Sequence, residues 1–334
     1  MPMLRNYWYI ACATPQVQGR PQAAQVLDQA LVIFRDAAGQ PHALLDRCCH
    51  RGVELSLGEV VENTLTCRYH GWRFDGDGHC VHIPSLTAER HIPNGCQVPS
   101  LLCREQDGYV WVWMGQDGAE PPEPPRLPGF EQYQWLQGSQ PWQCASLLAL
   151  QNGIDWCHPA FVHQGIHAQS RAVQARGLHE TAYEMRLLGE GLEVFALPAA
   201  ASDARIPEQA STVLRFELPD RVLVHWPQQD ERVILHFVPT GHRTCRHEWL
   251  YHGAGMRGVG VTWSEAEPEV MAQDREIVES AQRSYDAYGD AFEHSVEADA
   301  ATLMLRRIVA LAAEGRWEGE RGALRQRRVV PVRS

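Results

Sequence analysis

Two short segments constrain this chain more than anything else in it. Cys48-Cys49-His50 presents Cys-x-His, and after sixteen intervening residues Cys67-Arg68-Tyr69-His70 presents Cys-x-x-His. Two thiols and two imidazoles on two loops make a closed four-ligand set, suited to Zn²⁺ or to an iron–sulfur cluster. The fold must therefore bring residues 48–50 and 67–70 together. The surrounding sequence reads as β structure. Ala30–Arg35 is an apolar run, Asp36-Ala37-Ala38-Gly39 a turn and His42–Leu45 a return strand. Asp75-Gly76-Asp77-Gly78 separates Trp72–Phe74 from His79–His82, and Tyr109–Met114 is aromatic and β-branched.

The order of the ligands discriminates between the two metals. In a Rieske [2Fe–2S] centre one iron takes both cysteines and the other both histidines, so each loop supplies one of each, as here. A classical zinc finger groups its cysteines in one loop. Gly52 and Gly71 follow the histidines, where they would let backbone N–H groups approach the cluster sulfurs, and Trp72 would cover the cluster.

Residues 116–129, QDGAEPPEPPRLPG, contain five prolines and resist both helix and sheet. This predicts a first domain over 1–115, a linker over 116–130 and a second domain over 131–334. In the second, 143–163 reads as mainly helical, 211–252 as antiparallel strands, and 264–290 and 295–314 as helices, with Ser264 a cap for the first. The basic tail from Arg316 reads as frayed.

Asn152-x2-Asp155-x2-His158-x4-His163 opens the second domain. A 2-His-1-carboxylate triad leaves positions on Fe(II) open for O2 and substrate. His158 and His163 are five residues apart, about 140° around a helix. Pro159 is expected to keep His158 out of helical geometry and let His163 swing back. Asp155, three residues before His158, can orient its imidazole.

The run RCCHRGVELSLGEV…LTCRYHGWRFDGDGHCVHIPS resembles the Rieske domain of ring-hydroxylating oxygenases and of O- and N-demethylases, over residues 5–115. Residues 152–163 are similar to the iron-binding stretch of the same family. The resemblance implies a [2Fe–2S] cluster on Cys48, His50, Cys67 and His70, and a mononuclear Fe(II) on His158 and His163. It places the third ligand on a late acidic helix, at Asp274, with Glu276, Asp286 and Asp299 as alternatives and Gln273 where the family often has Glu. It also implies head-to-tail assembly as a homotrimer, with Asp155 bridging to His70 of the next subunit.

The layout looks like the vanillate/dicamba O-demethylase-like monooxygenase branch. The implied fold class is α+β: an all-β Rieske domain followed by a helix-grip (START-like) domain, with a curved antiparallel sheet around a long helix. The implied activity is monooxygenation of a small aromatic substrate by O2, as hydroxylation or O-/N-demethylation. Ring dioxygenation, a zinc-stabilised binding module and a pure electron carrier are the alternatives. No Gly-rich dinucleotide fingerprint is present, which implies a separate NAD(P)H-dependent reductase, with or without a ferredoxin. His236 and Trp263 are candidate substrate contacts.

Composition excludes other classes. A formal charge of −11 offers no nucleic-acid or anionic-membrane surface. The positive charge is all arginine, which rules out lysine Schiff-base chemistry. No apolar run suits a membrane span or a signal peptide. Ten cysteines in a chain of 334 residues suggest thiols and ligands rather than disulfides, hence a cytoplasmic protein.

Overall fold

The computed structural model describes residues 3–115, 121–163, 173–175, 177–178, 180–196, 210–253 and 268–333. The chain divides into two compact units, one of residues 5–131 and one of residues 1–4 with 132–334. Proline-rich residues 121–131 thus group with the first unit; residues 116–120 of the expected linker lie outside the described residues. Trp8 Nε1 donates to the Pro122 carbonyl and Gln106 Nε2 to the Pro124 carbonyl, so side chains of the β unit hold this segment.

The first unit is all β apart from short 3-10 turns. Its strands are β1 (Trp8–Ala13), β2 (Gln22–Val26), β3 (Gln29–Arg35), β4 (Pro41–Leu45), β5 (Glu59–Val61), β6 (Thr64–Thr66), β7 (Arg73–Phe74), β8 (Cys80–His82), β9 (Ser100–Leu101), β10 (Cys103–Gln106) and β11 (Tyr109–Trp113). They form antiparallel sheets in the orders β1-β11-β10, β2-β3-β4-β9 and β5-β6-β7-β8. Cys48 follows β4, and residues 67–72 connect β6 to β7. Both thiols sit in the core with Val32, Phe34, Leu44, Leu55, Leu65 and Phe74. Burying each large apolar side chain contributes about 1.5–3 kcal/mol, and here that burial also anchors the ligand loops.

The second unit is built on one eight-stranded sheet. Its strands are β12 (Leu136–Trp142), β13 (Glu180–Leu188), β14 (Gly191–Ala196), β15 (Val213–Glu217), β16 (Arg221–Trp226), β17 (Glu231–Gly241), β18 (Thr244–His252) and β19 (Arg327–Arg333). Their order is β12-β18-β17-β16-β15-β14-β13-β19, antiparallel throughout. The helices are α1 (Ser146–Ile154), α2 (Pro159–Val162), α3 (Glu269–Tyr288), α4 (Ala300–Ala313) and α5 (Trp317–Glu320). Helix α1 lies across the sheet: a Cβ on Gly153 would meet Val222 at 3.3 Å and Phe237 at 3.4 Å. The 20-residue α3 packs chiefly on α1.

Strand alternation sorts side chains onto two faces. Val222 stands opposite Leu235, Leu235 opposite Trp249 and Phe237 opposite His247, so all five face α1. The other face carries ion pairs, among them Arg186 and Arg327 on the fully buried Glu184, and Arg215 on Glu193. No helix among the described residues is long and apolar enough to cross a membrane. All ten cysteines are free thiols.

One expectation fails. The basic tail is not frayed: it forms α5 and then β19, which pairs over its whole length with β13, from Glu180↔Arg333 to Arg186↔Arg327. Its alternation Arg-Val-Val-Pro-Val places Val330 (0% exposed) and Val332 in the core while its arginines take up the carboxylates of Glu184 and Glu297. Charge density concealed a strand with one apolar face. Val330→Asp, an uncompensated buried charge, is expected to cost about 3–5 kcal/mol of stability in urea unfolding; a change under about 1 kcal/mol would contradict docking of this strand.

Candidate metal centres

The two loops of the first unit are built on one plan. Cys48 N–H donates to the Val53 carbonyl and Gly52 N–H to the Cys48 carbonyl, at 2.8 and 2.9 Å. Cys67 N–H donates to the Trp72 carbonyl and Gly71 N–H to the Cys67 carbonyl, at the same distances. Gly52 and Gly71 have φ of 74° and 69°, the left-handed region that side chains disfavour. The glycines therefore turn the loops, and their N–H groups serve backbone carbonyls rather than being held open for a cluster sulfur.

The plan brings like ligands together. The Cys48 and Cys67 thiols interact, and burial first, then this contact, pushes Cys48 up to about 11. Assembly of a metal group must displace those protons. The His50 and His70 rings lie 4.6 Å apart. Trp72 stacks on His50 at 4.5 Å and 5°, so it covers a ligand ring, while Tyr69 lies 3.8 Å from His70. Among the described residues His50 Nδ1 is buried without a hydrogen-bond partner, which fits a nitrogen that binds metal. Among the described residues, the only three ligand groups with all their atoms within 4.8 Å of one another belong to the second site. The pairing of thiol with thiol and imidazole with imidazole is the arrangement a [2Fe–2S] cluster requires, with both cysteines on one iron and both histidines on the other.

That second set is His158, His163 and Asp274. Helix α1 ends at Ile154; Asp155, with φ −71° and ψ 123°, breaks it. His158 itself is helical (φ −58°, ψ −36°), and Pro159 is the first residue of α2, a position it suits because its missing N–H is not needed there. The bend therefore comes from Asp155 rather than from Pro159 acting on His158. Asp274 comes from α3.

His158 Nδ1–H donates to the Asp155 main-chain carbonyl at 3.1 Å, and His163 Nδ1–H to Gln273 Oε1 at 3.0 Å. Asp155 thus orients His158 through its backbone, while its carboxylate accepts from Cys157 N–H at 2.7 Å. With both Nδ1 atoms protonated, both Nε2 atoms present lone pairs. They lie 3.5 and 3.3 Å from Asp274 Oδ1, a buried oxygen with no hydrogen-bond partner among the described residues. Burial lowers the affinity of both histidines for a proton. It raises Asp274 to about 6, against the His158 charge and an Asn152 hydrogen bond. Three acceptors, His163 buried and His158 and Asp274 mostly so, converge on one point, an arrangement that a cation stabilises.

Sequence reasoning registered Gln273 only as a departure from a pattern, because its partner is 110 residues away. His236 is 2% exposed, paired with Asp220 at 2.9 Å, and on the sheet face away from α1. Trp263 and Ser264 lie outside the described residues. Asp286 and Asp299 stand apart from the site: Asp286 accepts from Gln282, and Asp299 from Val296 N–H.

Comparison with known proteins agrees with this geometry. Residues 7–101 match the Rieske [2Fe-2S] domain, and residues 142–315 the vanillate O-demethylase oxygenase C-terminal domain. The chain belongs to the Rieske non-heme iron oxygenases whose catalytic unit is of the vanillate O-demethylase type. It is 30% identical over 288 residues to a 3-chlorobenzoate-3,4-dioxygenase oxygenase subunit of Comamonas testosteroni (78% of this chain, 65% of that one). It is 34% identical over 177 residues to the oxygenase component of dicamba O-demethylase from Stenotrophomonas maltophilia (52% and 51%). The crystal structure of dicamba monooxygenase bound to dicamba shares the fold, with TM-score 0.79 and 24% identity over 94% of this chain and 98% of that one. The chain spans about a quarter of the length of other curated relatives, including chlorophyllide a oxygenase of Chlamydomonas reinhardtii. The first site lies in the matched Rieske [2Fe-2S] domain, and the second set, in the matched catalytic domain and on α3, could hold a metal ion.

His163→Ala is expected to abolish mononuclear iron binding while the Rieske absorption and EPR signals persist. Gln273→Leu should weaken that iron by roughly 10–100-fold with the cluster intact. Metal analysis beside the cluster spectrum checks both, and unchanged mononuclear iron in either variant would contradict the assignment.

Proposed function

We propose that this chain is the terminal oxygenase of a multicomponent system that monooxygenates a small aromatic substrate, by hydroxylation or oxidative O- or N-demethylation. The observation that supports this most is the convergence of His158 Nε2, His163 Nε2 and Asp274 Oδ1 in a chain that also carries the Rieske loops. When loaded, the cluster would supply single electrons, and the ferrous ion a centre with open positions where O2 is activated.

The protein's own part is to hold and orient. Asp155 O and Gln273 Oε1 fix the tautomer of the two imidazoles, and Asn152 bonds the Asp274 carboxyl. Burial keeps water from competing for these groups. The exposed His70 offers a cluster edge for electron exchange. In a head-to-tail homotrimer, Asp155 of one subunit would meet His70 of the next, a heterologous contact that closes a ring. Two electrons per turnover require an NAD(P)H-dependent reductase, with or without a ferredoxin, and the ten free thiols suit a cytoplasmic setting.

Turnover of a panel of methoxy- and N-methyl-aromatics with a surrogate reductase tests the reaction. Formaldehyde release matched to O2 consumption is expected; anaerobically loaded protein with fewer than about three irons per chain, or without inorganic sulfide, would sink the reading. Ring dioxygenation is a second reading, favoured by the dioxygenase name of the chlorobenzoate relative. Two atoms of labelled oxygen retained in a diol would establish it over monooxygenation. Asp155→Ala is expected to keep both metals and lose most multiple turnover; retained turnover would refute the bridge.

A further inference from the structure

On the α1 side of the sheet, His247 and Trp249 are 1% exposed, and neither His247 ring nitrogen nor Trp249 Nε1 has a hydrogen-bond partner among the described residues. Buried polar groups are almost always paired, so three orphan nitrogens on neighbouring same-face positions of one strand need an occupant. Their setting is aromatic. Phe237 stacks on His247 at 4.7 Å and 9°, Trp142 lies 4.7 Å from it and Trp249 5.4 Å. Gly138, opposite Trp249, leaves the room this indole fills: a Cβ there would come within 2.1 Å of the ring. The face is not sealed beside them. Leu235, directly opposite Trp249, and Val224 are half-buried, although Val222, Val233 and Phe237 around them are buried. Helix α1, which runs on to the iron ligands, lies over Val222 and Phe237 at Gly153.

We infer that His247 and Trp249 form the polar recognition element of the substrate pocket, and that they select an aromatic molecule bearing a neutral oxygen acceptor such as a carbonyl. This rests on the oxygenase reading above and narrows its substrate class. An apolar pocket with a few convergent polar groups is the usual form of a small-molecule site. The indole can only donate, and the imidazole is neutral, since complete burial lowers it to about 3. On this face, therefore, no cation from either group balances a carboxylate, whose burial unpaired is costly.

The test measures binding to metal-loaded, anaerobic protein without reductant, so that no turnover intervenes. The probes are 4-methoxyacetophenone, 4-methoxybenzoate and 4-ethylanisole, which share a methoxy-arene and differ in the second group. The ketone is expected to bind at least about fivefold more tightly than either other probe. His247→Leu and Trp249→Phe should each remove about that factor for the ketone and leave 4-ethylanisole unchanged. His247→Leu should also hold or raise Tm, because an orphan polar group has gone, while His247→Gln should retain part of the preference. Equal affinities, tightest binding of the benzoate, binding of none of the three, or ketone affinity indifferent to both variants would overturn the inference. Failure of the oxygenase reading would show separately, as missing iron or sulfide in the same samples.

Discussion

Three lone-pair atoms facing one another in a largely buried site form the constraint around which the catalytic unit is organised. His158 Nε2, His163 Nε2 and Asp274 Oδ1 would repel each other with nothing between them, so the structure must hold them there by other means. It does so from three directions. Asp155 ends α1 and presents its carbonyl to His158, Gln273 reaches His163 from α3, and Glu279 and Gln282 tie α3 to the residues that open α1, by accepting from Gln143 and Ala145 N–H groups. The sheet supplies the rigid floor on which α1 rests, so the metal site inherits the precision of the strand register.

The cluster site follows the same logic with different materials. Its sulfurs are part of a hydrophobic core, and its imidazoles lie at the edge of that core. Apolar burial fixes the cysteines and leaves the histidines to meet other molecules. In both units, then, the groups that bind metal are positioned by contacts that need no metal, as preorganised sites require.

Local signals made much of this legible in the sequence. The Cys-x-His and Cys-x-x-His loops, the strands on either side of Asp36–Gly39 and Asp75–Gly78, and the pair His158 and His163 are all short-range patterns that chemistry or turn geometry dictates. Asp274 came only with the family resemblance, because nothing nearby distinguishes it from Glu276. What stayed hidden depends on distant partners. Gln273 matters through a residue far away in the chain, and β19 looked like a charged tail because its arginines pair with carboxylates on β13 and near α4. Pro159 was read correctly as a boundary but assigned the wrong side of it: proline favours the first turn of the helix it begins, and His158 stays helical. His236 lies on the sheet face away from α1, since one step along β17 exchanges the faces of the sheet.

The two cluster loops share a frame of hydrogen bonds, yet their histidines sit two and three residues after the cysteine. That one-residue offset slides the second imidazole along an otherwise identical scaffold. His50 ends beneath the Trp72 ring and His70 ends in the open. A duplicated frame thereby presents its two imidazoles unequally, one half-covered by an indole and the other open to solvent.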